Sequence, residues 1–502
     1  MSGEATPRTT EGLAYGEPAG RWVLAATVLG SSLAFLDATV VNIALPAIGR
    51  ELNAGVAGLT WTVNAYTLTL AAFVLVGGSL GDRFGRRRVF TVGVAWFGAA
   101  SLACAVATGV GTLVASRALQ GVGAALLTPG ALAILQATFR AEDRSRAIGA
   151  WSGLAGITGA VGPFLGGWLV GVGSWRWIFL INIPVVVAVL AIAARHVPES
   201  RDTGASGRID ITGATLAAAG LGSLTYGLSV WPEQGPGSAP VQVGIGLSVV
   251  ALVAFVIRER VAPDPMLPLG IFAVPLFGVT NLVTFLVYAA LGGVFFWLVV
   301  TLQVVAGWSA LEAGLSLLPV TLLMMAFSAR AGVVGDRLGP RLPMTVGPLL
   351  AAAGVAALAR IGADASYLYD VVVPVSVLGV GLTLTVTPLT STVLGSVPEA
   401  QAGLASGVNN AVARTGGLLI IAVLPALTGI GEGGLSDAAA MQPAFRTAMI
   451  TCSVLLALGG VVSALFIRPR AAAPGAEPPV SCPAHHCAVD ATPMGVSHRS
   501  RS

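Results

Sequence analysis

Asp37 is the one carboxylate deep inside an apolar run of this chain, about fifteen residues into the first such run, or roughly 22 Å along a helix rising ~1.5 Å per residue. Placing an aspartate there costs ~2.5 to 3.5 kcal/mol even on lenient insertion scales. The cost falls when the carboxyl takes a proton, so the residue suits a step that gains and loses one; a hydrogen bond to a neighbouring helix is the purely structural alternative. Arg117 lies at a compatible depth in the fourth apolar run, followed by Gln120, Gly121 and Gly123. An arginine there can hold Asp37 and nearby carbonyl groups, the alternative being a snorkelling side chain. No histidine falls inside an apolar run and no lysine occurs anywhere. A histidine proton relay, a Walker A phosphate loop and Schiff-base chemistry are therefore excluded.

A second constellation is duplicated. Gly78-Ser-Leu-Gly-Asp82-Arg83-Phe-Gly85-Arg86-Arg87-Arg88 is repeated 254 positions later as Gly332-Val-Val-Gly-Asp336-Arg337-Leu-Gly339-Pro-Arg341. Each copy is a tight charged turn between two apolar runs. A carboxylate at such a turn can pair with arginines or face a helix N-terminus and so latch one side of a gate. Gly162 and Pro163, within Gly156-Ile-Thr-Gly159-Ala-Val-Gly162-Pro163-Phe-Leu-Gly166-Gly167, allow close helix approach and a bend. Asn42, Trp61, Asn64, Tyr66, Gln120, Asn281, Tyr288, Gln303, Asn409, Asn410 and Arg414 interrupt apolar runs and together would line a site for bulky, partly apolar molecules; for each, an interhelical hydrogen bond or an interfacial ring is the plainer role. Cys482-Pro-Ala-His485-His486-Cys487 has metal-ligand atoms at close spacing but lies in a Pro-rich tail, so no metal site is assigned.

The elements that must position these residues follow from composition. The 502 residues have a mean hydropathy of +0.84, with 55% hydrophobic and 10% charged side chains, too few polar groups to cover a water-soluble globule. The net charge of +4 sits in short loops, which is the pattern of membrane orientation signals and excludes a nucleic-acid partner. Fourteen helical spans are expected near residues 22–47, 59–80, 89–108, 111–137, 147–171, 176–194, 211–231, 242–258, 272–304, 311–329, 343–361, 370–396, 402–430 and 447–467. Arginines gather in alternate loops, at 83 and 86–88, 140, 144 and 146, 195, 201 and 208, 258 and 260, 330, 337 and 341, and 468 and 470; the opposite loops hold only Arg50, Arg176, Arg360 and Arg446. Both termini of the multi-pass membrane protein are thus expected in the cytoplasm. The duplicated turns align spans one to six with nine to fourteen. The expected fold is all-α: residues 1–21 disordered, a six-helix bundle over 22–194, a linker with two inserted helices over 195–271, a second six-helix bundle over 272–467 in pseudo-twofold arrangement, and a disordered tail over 468–502.

Leu36-Asp37-Ala-Thr39-Val40-Val41-Asn42-Ile43-Ala44-Leu45-Pro46, the turn at 78–88, Arg117-Ala-Leu-Gln120-Gly121-Val-Gly123, Gly162-Pro163 to Gly166-Gly167, and Trp175-Arg176-Trp177-Ile-Phe-Leu-Ile-Asn182-Ile-Pro184 stand in this order along the chain. Together they resemble the fourteen-span drug:proton antiporters of the major facilitator superfamily over about residues 22–467. The resemblance implies export of antibiotics or other small lipophilic, often cationic compounds against proton entry, with Asp37 and Arg117 tied to coupling. It implies no cofactor beyond protons, no enzymatic activity and no obligatory protein partner beside the lipid bilayer. Several such relatives protect antibiotic producers, and the lysine-free, Ala- and Gly-rich composition agrees with a GC-rich bacterium. The second turn departs from the pattern at Val334 and Pro340, which weakens the expectation of an equal latch there. Export of an endogenous metabolite on the same scaffold, or a membrane sensor that has lost transport, are the alternatives.

Overall fold

Backbone groups inside hydrocarbon have only each other as hydrogen-bond partners, which leaves helices as the way to bury these runs. The computed structural model describes residues 12–201, 210–398, 402–431, 434 and 437–467. Among them the chain is helical, with one isolated bridge between Leu13 and Phe139 and no strand. The helices are α1 (Pro18–Leu52), α2 (Val56–Phe84), α3 (Arg86–Ala105), α4 (Val110–Thr138), α5 (Ala141–Val172), α6 (Trp177–Leu180), α7 (Asn182–His196), α8 (Ile211–Gln234), α9 (Ala239–Val261), α10 (Pro275–Val304), α11 (Ala310–Leu315), α12 (Leu318–Leu338), α13 (Arg341–Leu358), α14 (Val373–Gly395), α15 (Ala402–Thr428) and α16 (Ala438–Phe466).

Among the described residues twelve helices are long and apolar enough to cross a membrane, counting α6 with α7, α11 with the first part of α12, and α14 with the π-turn Tyr367–Val372 before it. Of the two other long helices, α8 is diluted by Gly, Ala, Ser and Thr, and some side chains of α5 lie outside the described residues, which leaves Val161–Val172 as a shorter apolar stretch. Two expected spans are broken for a local reason. Pro184 has no N–H for the carbonyl four residues earlier, and the helix breaks at Ile181 between α6 and α7. Pro319 sits at the second position of α12, where a missing N–H costs nothing, and restarts the helix after α11.

Helices α1 to α7 pack on one another, as do α10 to α16. The two groups meet where α1 touches α10, α5 touches α11 and α12, and α2 touches α15; the α8–α9 hairpin lies against both α2 and α15. Glycines set the closest approaches. A methyl group on Gly77 would overlap the Ala125 carbonyl, one on Gly121 the Tyr66 carbonyl, and one on Gly123 would stand 2.7 Å from the Phe97 amide nitrogen, so α4 is drawn against α2 and α3.

The N-terminal segment differs from expectation. Residues 12–17, expected to be disordered, dock on the α4–α5 junction: Leu13 donates to the Thr138 carbonyl at 2.8 Å, Arg140 Nε to the Gly12 carbonyl at 2.8 Å, and the Tyr15 amide to Asp143 Oδ2 at 2.9 Å. The Arg146 guanidinium lies over the Tyr15 ring at 4.4 Å, so the polar composition of this segment serves a surface contact. Helix α1 then begins at Pro18, at a position that has no helical use for an N–H. His196 closes α7 and stacks on Trp22 at 5.1 Å. The tail with Cys482, His485, His486 and Cys487 lies outside the described residues.

Close α2–α4 packing makes a definite expectation. Gly77→Ala forces the helices apart at a cost of about 1 to 3 kcal/mol, while Gly246→Ala, with open space around it, is neutral. Thermal unfolding of the two detergent-purified variants checks this: the first lowers the midpoint and the second leaves it unchanged.

Candidate functional site

Arg117 and Gln120 are three residues apart on α4 and so share a face, which α4 turns toward α1 and α2. Asp37 meets them from α1. Arg117 Nη1 donates to Asp37 Oδ2, Arg117 Nε donates to the Thr62 carbonyl at 3.1 Å, and Gln120 Nε2 donates to Asp37 Oδ1 at 2.9 Å. Gln120 Nε2 also donates to Ser101 Oγ at 2.9 Å, and Asn182 Nδ2 donates to the same hydroxyl at 2.9 Å. The Gln120 carbonyl oxygen accepts from Arg117 Nη1 at 2.5 Å and from the Cys104 thiol at 3.7 Å. Beneath the guanidinium lies the Tyr66 ring, 4.3 Å from Cζ to the centroid, with the Tyr66 hydroxyl donating to the Ala34 carbonyl at 3.3 Å.

The network is dry and connected. The Asp37 and Arg117 side chains are each 1% exposed, so in this conformation neither meets solvent. Every polar atom of Gln120 and both oxygens of Asp37 have a partner, which meets the condition under which a buried ion pair is tolerated. The pair has no net charge. Adding a proton to Asp37 would leave Arg117 with amide and carbonyl oxygens and a ring face but no counter-ion, a change of one elementary charge inside a low-dielectric volume. That is the chemistry this arrangement offers: a protonation event that alters the stability of a packed helix interface.

Other residues expected at a site divide into groups. Asn64, Tyr66, Gln120 and Asn281, expected to line a cavity, are buried in helix interfaces instead. Among the described residues neither polar atom of the Asn64 side chain has a hydrogen-bond partner. Asn281 donates to the Phe277 carbonyl at 2.9 Å and receives Asn409 Nδ2 at 3.3 Å; Asn409 also donates to Thr284 Oγ1 at 2.7 Å, so these amides tie α10 to α15. Gln303 donates to the Ile43 carbonyl at 3.1 Å and ties α10 to α1. Asn42, Trp61, Tyr288, Asn410 and Arg414 remain half-buried.

The gating residues also find places. Gly162 abuts Thr39 of α1, Gly167 abuts the Ala310–Leu311 backbone, and Gly314 abuts the Pro163 carbonyl, so α5 is wedged between α1 and α11 at the arginine-poor end. At the arginine-rich end, Asp82 forms an ion pair with Arg86 at 2.8 Å, and Arg83 lies 5.8 Å from the Phe84 ring centroid. Gly85 has φ +112°, which only glycine adopts without strain, and Gly339 in the second copy has φ +77°. Asp82 does not reach the N-terminus of α3. Glu199 takes that place, receiving the Arg87 and Arg88 amides at 3.1 and 3.2 Å, and it would clash with any side chain at position 85. The Asp336 and Arg337 side chains lie outside the described residues. Sequence reasoning missed Glu199, Ser101 and the Glu51 carboxylate that binds Arg176 and receives Trp175 Nε1 at 2.7 Å. Only the last had a signal, since Trp175 and Arg176 were already singled out.

Comparison with known proteins now places the geometry. The family model described as Major Facilitator Superfamily matches residues 27–421. The chain is 37% identical over 466 residues to the cephamycin export protein CmcT of Amycolatopsis lactamdurans, covering 90% of this chain and 94% of that protein. It is 36% identical over 409 residues to the tetracenomycin C resistance and export protein of Streptomyces glaucescens, covering 80% and 75%. It is 37% identical over 429 residues to the puromycin resistance protein pur8 of Streptomyces alboniger, covering 84% of each. Among solved structures, a bacterial homologue of the human lysosomal transporter Spinster, inward-facing and unoccupied, superposes with a TM-score of 0.64 at 18% identity, covering 90% of this chain and 97% of that one. The inward open xylose transporter XylE from E. coli superposes with a TM-score of 0.62 at 14% identity, covering 90% and 97%. These two structures bear on the fold alone. By sequence match and by fold together, the chain belongs to the Major Facilitator Superfamily, and is a membrane transporter and not an enzyme.

Proposed function

We propose that this transporter exports an antibiotic or another small drug-like molecule across the cytoplasmic membrane of a bacterium, driven by proton entry, and that it serves self-resistance. The observation that carries the coupling is the sealed Asp37–Arg117–Gln120 network, an ionisable group kept in the membrane interior at a cost that function would repay. The export reading is supported by relatives named for cephamycin and tetracenomycin C export and for puromycin resistance. Fourteen spans with both termini cytoplasmic complete the proposal, with α5 and α8 as the two further spans.

In this cycle substrate and proton do not compete for one atom, because Asp37 is out of contact with solvent. They compete through conformation. Protonation of Asp37 from outside unbalances the Arg117 cluster and favours the return to the inward state; deprotonation inside restores the pair and substrate affinity. For a neutral substrate each 100 mV would add ~2.3 kcal/mol per proton, enough for roughly fiftyfold accumulation.

Three expectations follow from this reading. Antibiotic efflux from a drug-hypersensitive host stops with a protonophore and is absent in a well-expressed Asp37→Asn variant; protonophore-insensitive efflux in either protein refutes proton coupling. Asp37→Asn and Arg117→Ala each cost about 3 to 5 kcal/mol, and the double variant costs less than their sum by about 1 to 3 kcal/mol; additive losses in thermal unfolding would mean the two residues act separately. A cysteine at Ser238, between α8 and α9, is labelled from the outer face by a membrane-impermeant maleimide if the hairpin spans the bilayer, and from the inner face only if it does not.

A further inference from the structure

Arg414 occupies the middle of α15, twelve residues from one end and fourteen from the other, so it lies roughly 18 to 21 Å from either helix terminus. That depth is beyond the reach of a snorkelling side chain. Its guanidinium is half-buried, its Nε donates to Asn410 Oδ1 at 3.3 Å, and no salt bridge joins it to a carboxylate among the described residues. Seven residues earlier, on the same face of α15, Gly407 meets Leu75 of α2, and a methyl group on Gly417 would stand 3.8 Å from the Tyr288 carbonyl oxygen of α10. Arg414 therefore stands between the two helix groups, where α15 faces α2.

A cation held at mid-membrane depth needs a counter-charge. Asp37 cannot supply it, since that carboxylate is closed off by Arg117 and Gln120 and is 1% exposed. The same fact removes a receptor for a cationic drug: among the described residues the one deep carboxylate is already engaged, while the half-buried charge on α15 is positive.

We infer that Arg414, with Asn410 orienting it and Tyr288 on the adjoining α10, binds the anionic group of the transported molecule, so that this transporter selects acidic amphipathic substrates over cationic ones. The inference rests on the efflux reading above for the word transported, and on the geometry for the site itself. Arg offers paired N–H donors to a carboxylate, sulfonate or phenolate, and the tyrosine ring and amide fit the partly apolar body next to it. An anion leaving as a proton enters moves two elementary charges per cycle in the same electrical sense, so efflux of such a substrate is driven by membrane voltage as well as by the pH gradient.

The test uses the full-length purified protein and two probes with one xanthene ring system, anionic fluorescein and cationic tetramethylrhodamine methyl ester. Equilibrium binding is measured first and efflux from proteoliposomes second. Wild-type protein is expected to bind fluorescein more tightly. Arg414→Gln weakens that binding by roughly tenfold or more, Arg414→Lys retains most of it, and neither variant alters what little binding the cation shows. Tighter binding of the cationic dye, an equal loss for both dyes in Arg414→Gln, or binding of neither dye overturns the inference. Charge-selective binding without any efflux upholds the anion site and overturns the efflux reading instead.

Discussion

A charge inside a membrane must be paired, and the ion pair between Asp37 and Arg117 is the constraint on which the first seven helices of this transporter depend. Its two members come from α1 and α4, and its remaining donors and acceptors are spent on Gln120, the Thr62 carbonyl of α2 and, through Ser101 and Asn182, on α3 and α7. Five helices are thereby keyed to one charge centre. A shift in any of them exposes an unpartnered charge or amide, which gives the interface discrete arrangements instead of continuous slack.

Close backbone approach makes this keying possible. Gly77, Gly121 and Gly123 let α4 lie against α2 and α3 closely enough for Arg117 to span the gap to Asp37, with the Tyr66 ring as its floor. A second set of small residues, Gly162, Gly167 and Gly314, joins α5 to α1 and to α11. The first set fixes the charge centre within one helix group. Within the second set, Gly162 meets the Thr39 side chain inside the first group, while Gly167 and Gly314 make backbone contacts between the groups, where alternating access would require movement. Glu199 and the Asp82–Arg86 pair hold the opposite end of the first group by capping α3 and bracing the turn at Gly85.

Much of this was legible in the sequence because hydropathy makes depth visible. Asp37, Arg117 and Gln120 stand out as polar residues in apolar runs, and the duplicated turn gave glycines at 85 and 339 that both adopt positive φ. Sequence does not give azimuth. Asn64 and Asn281 interrupt apolar runs as Arg414 does, yet they turn into helix interfaces, and only the packed structure separates a lining residue from a buried tie. Ser101 carried no signal because serine is common in close-packed helices, and Glu199 lay in a segment read as a linker. Residues 12–17 looked like a disordered tail because their partners, Thr138, Arg140 and Asp143, are more than a hundred positions away.

The sealed pair also defines how proton and substrate can communicate. In the proton-coupled cycle proposed above, the seclusion of Asp37 makes coupling pass through helix packing and not through direct displacement of one ligand by another. The most direct measurement is difference infrared spectroscopy of the purified protein across the pH range that supports transport, read against Asp37→Asn. The expected result is a protonated-carboxyl band that appears on acidification in the wild-type protein and is missing in the variant. An Asp37 that stays ionised throughout that range, while transport continues, would contradict the account.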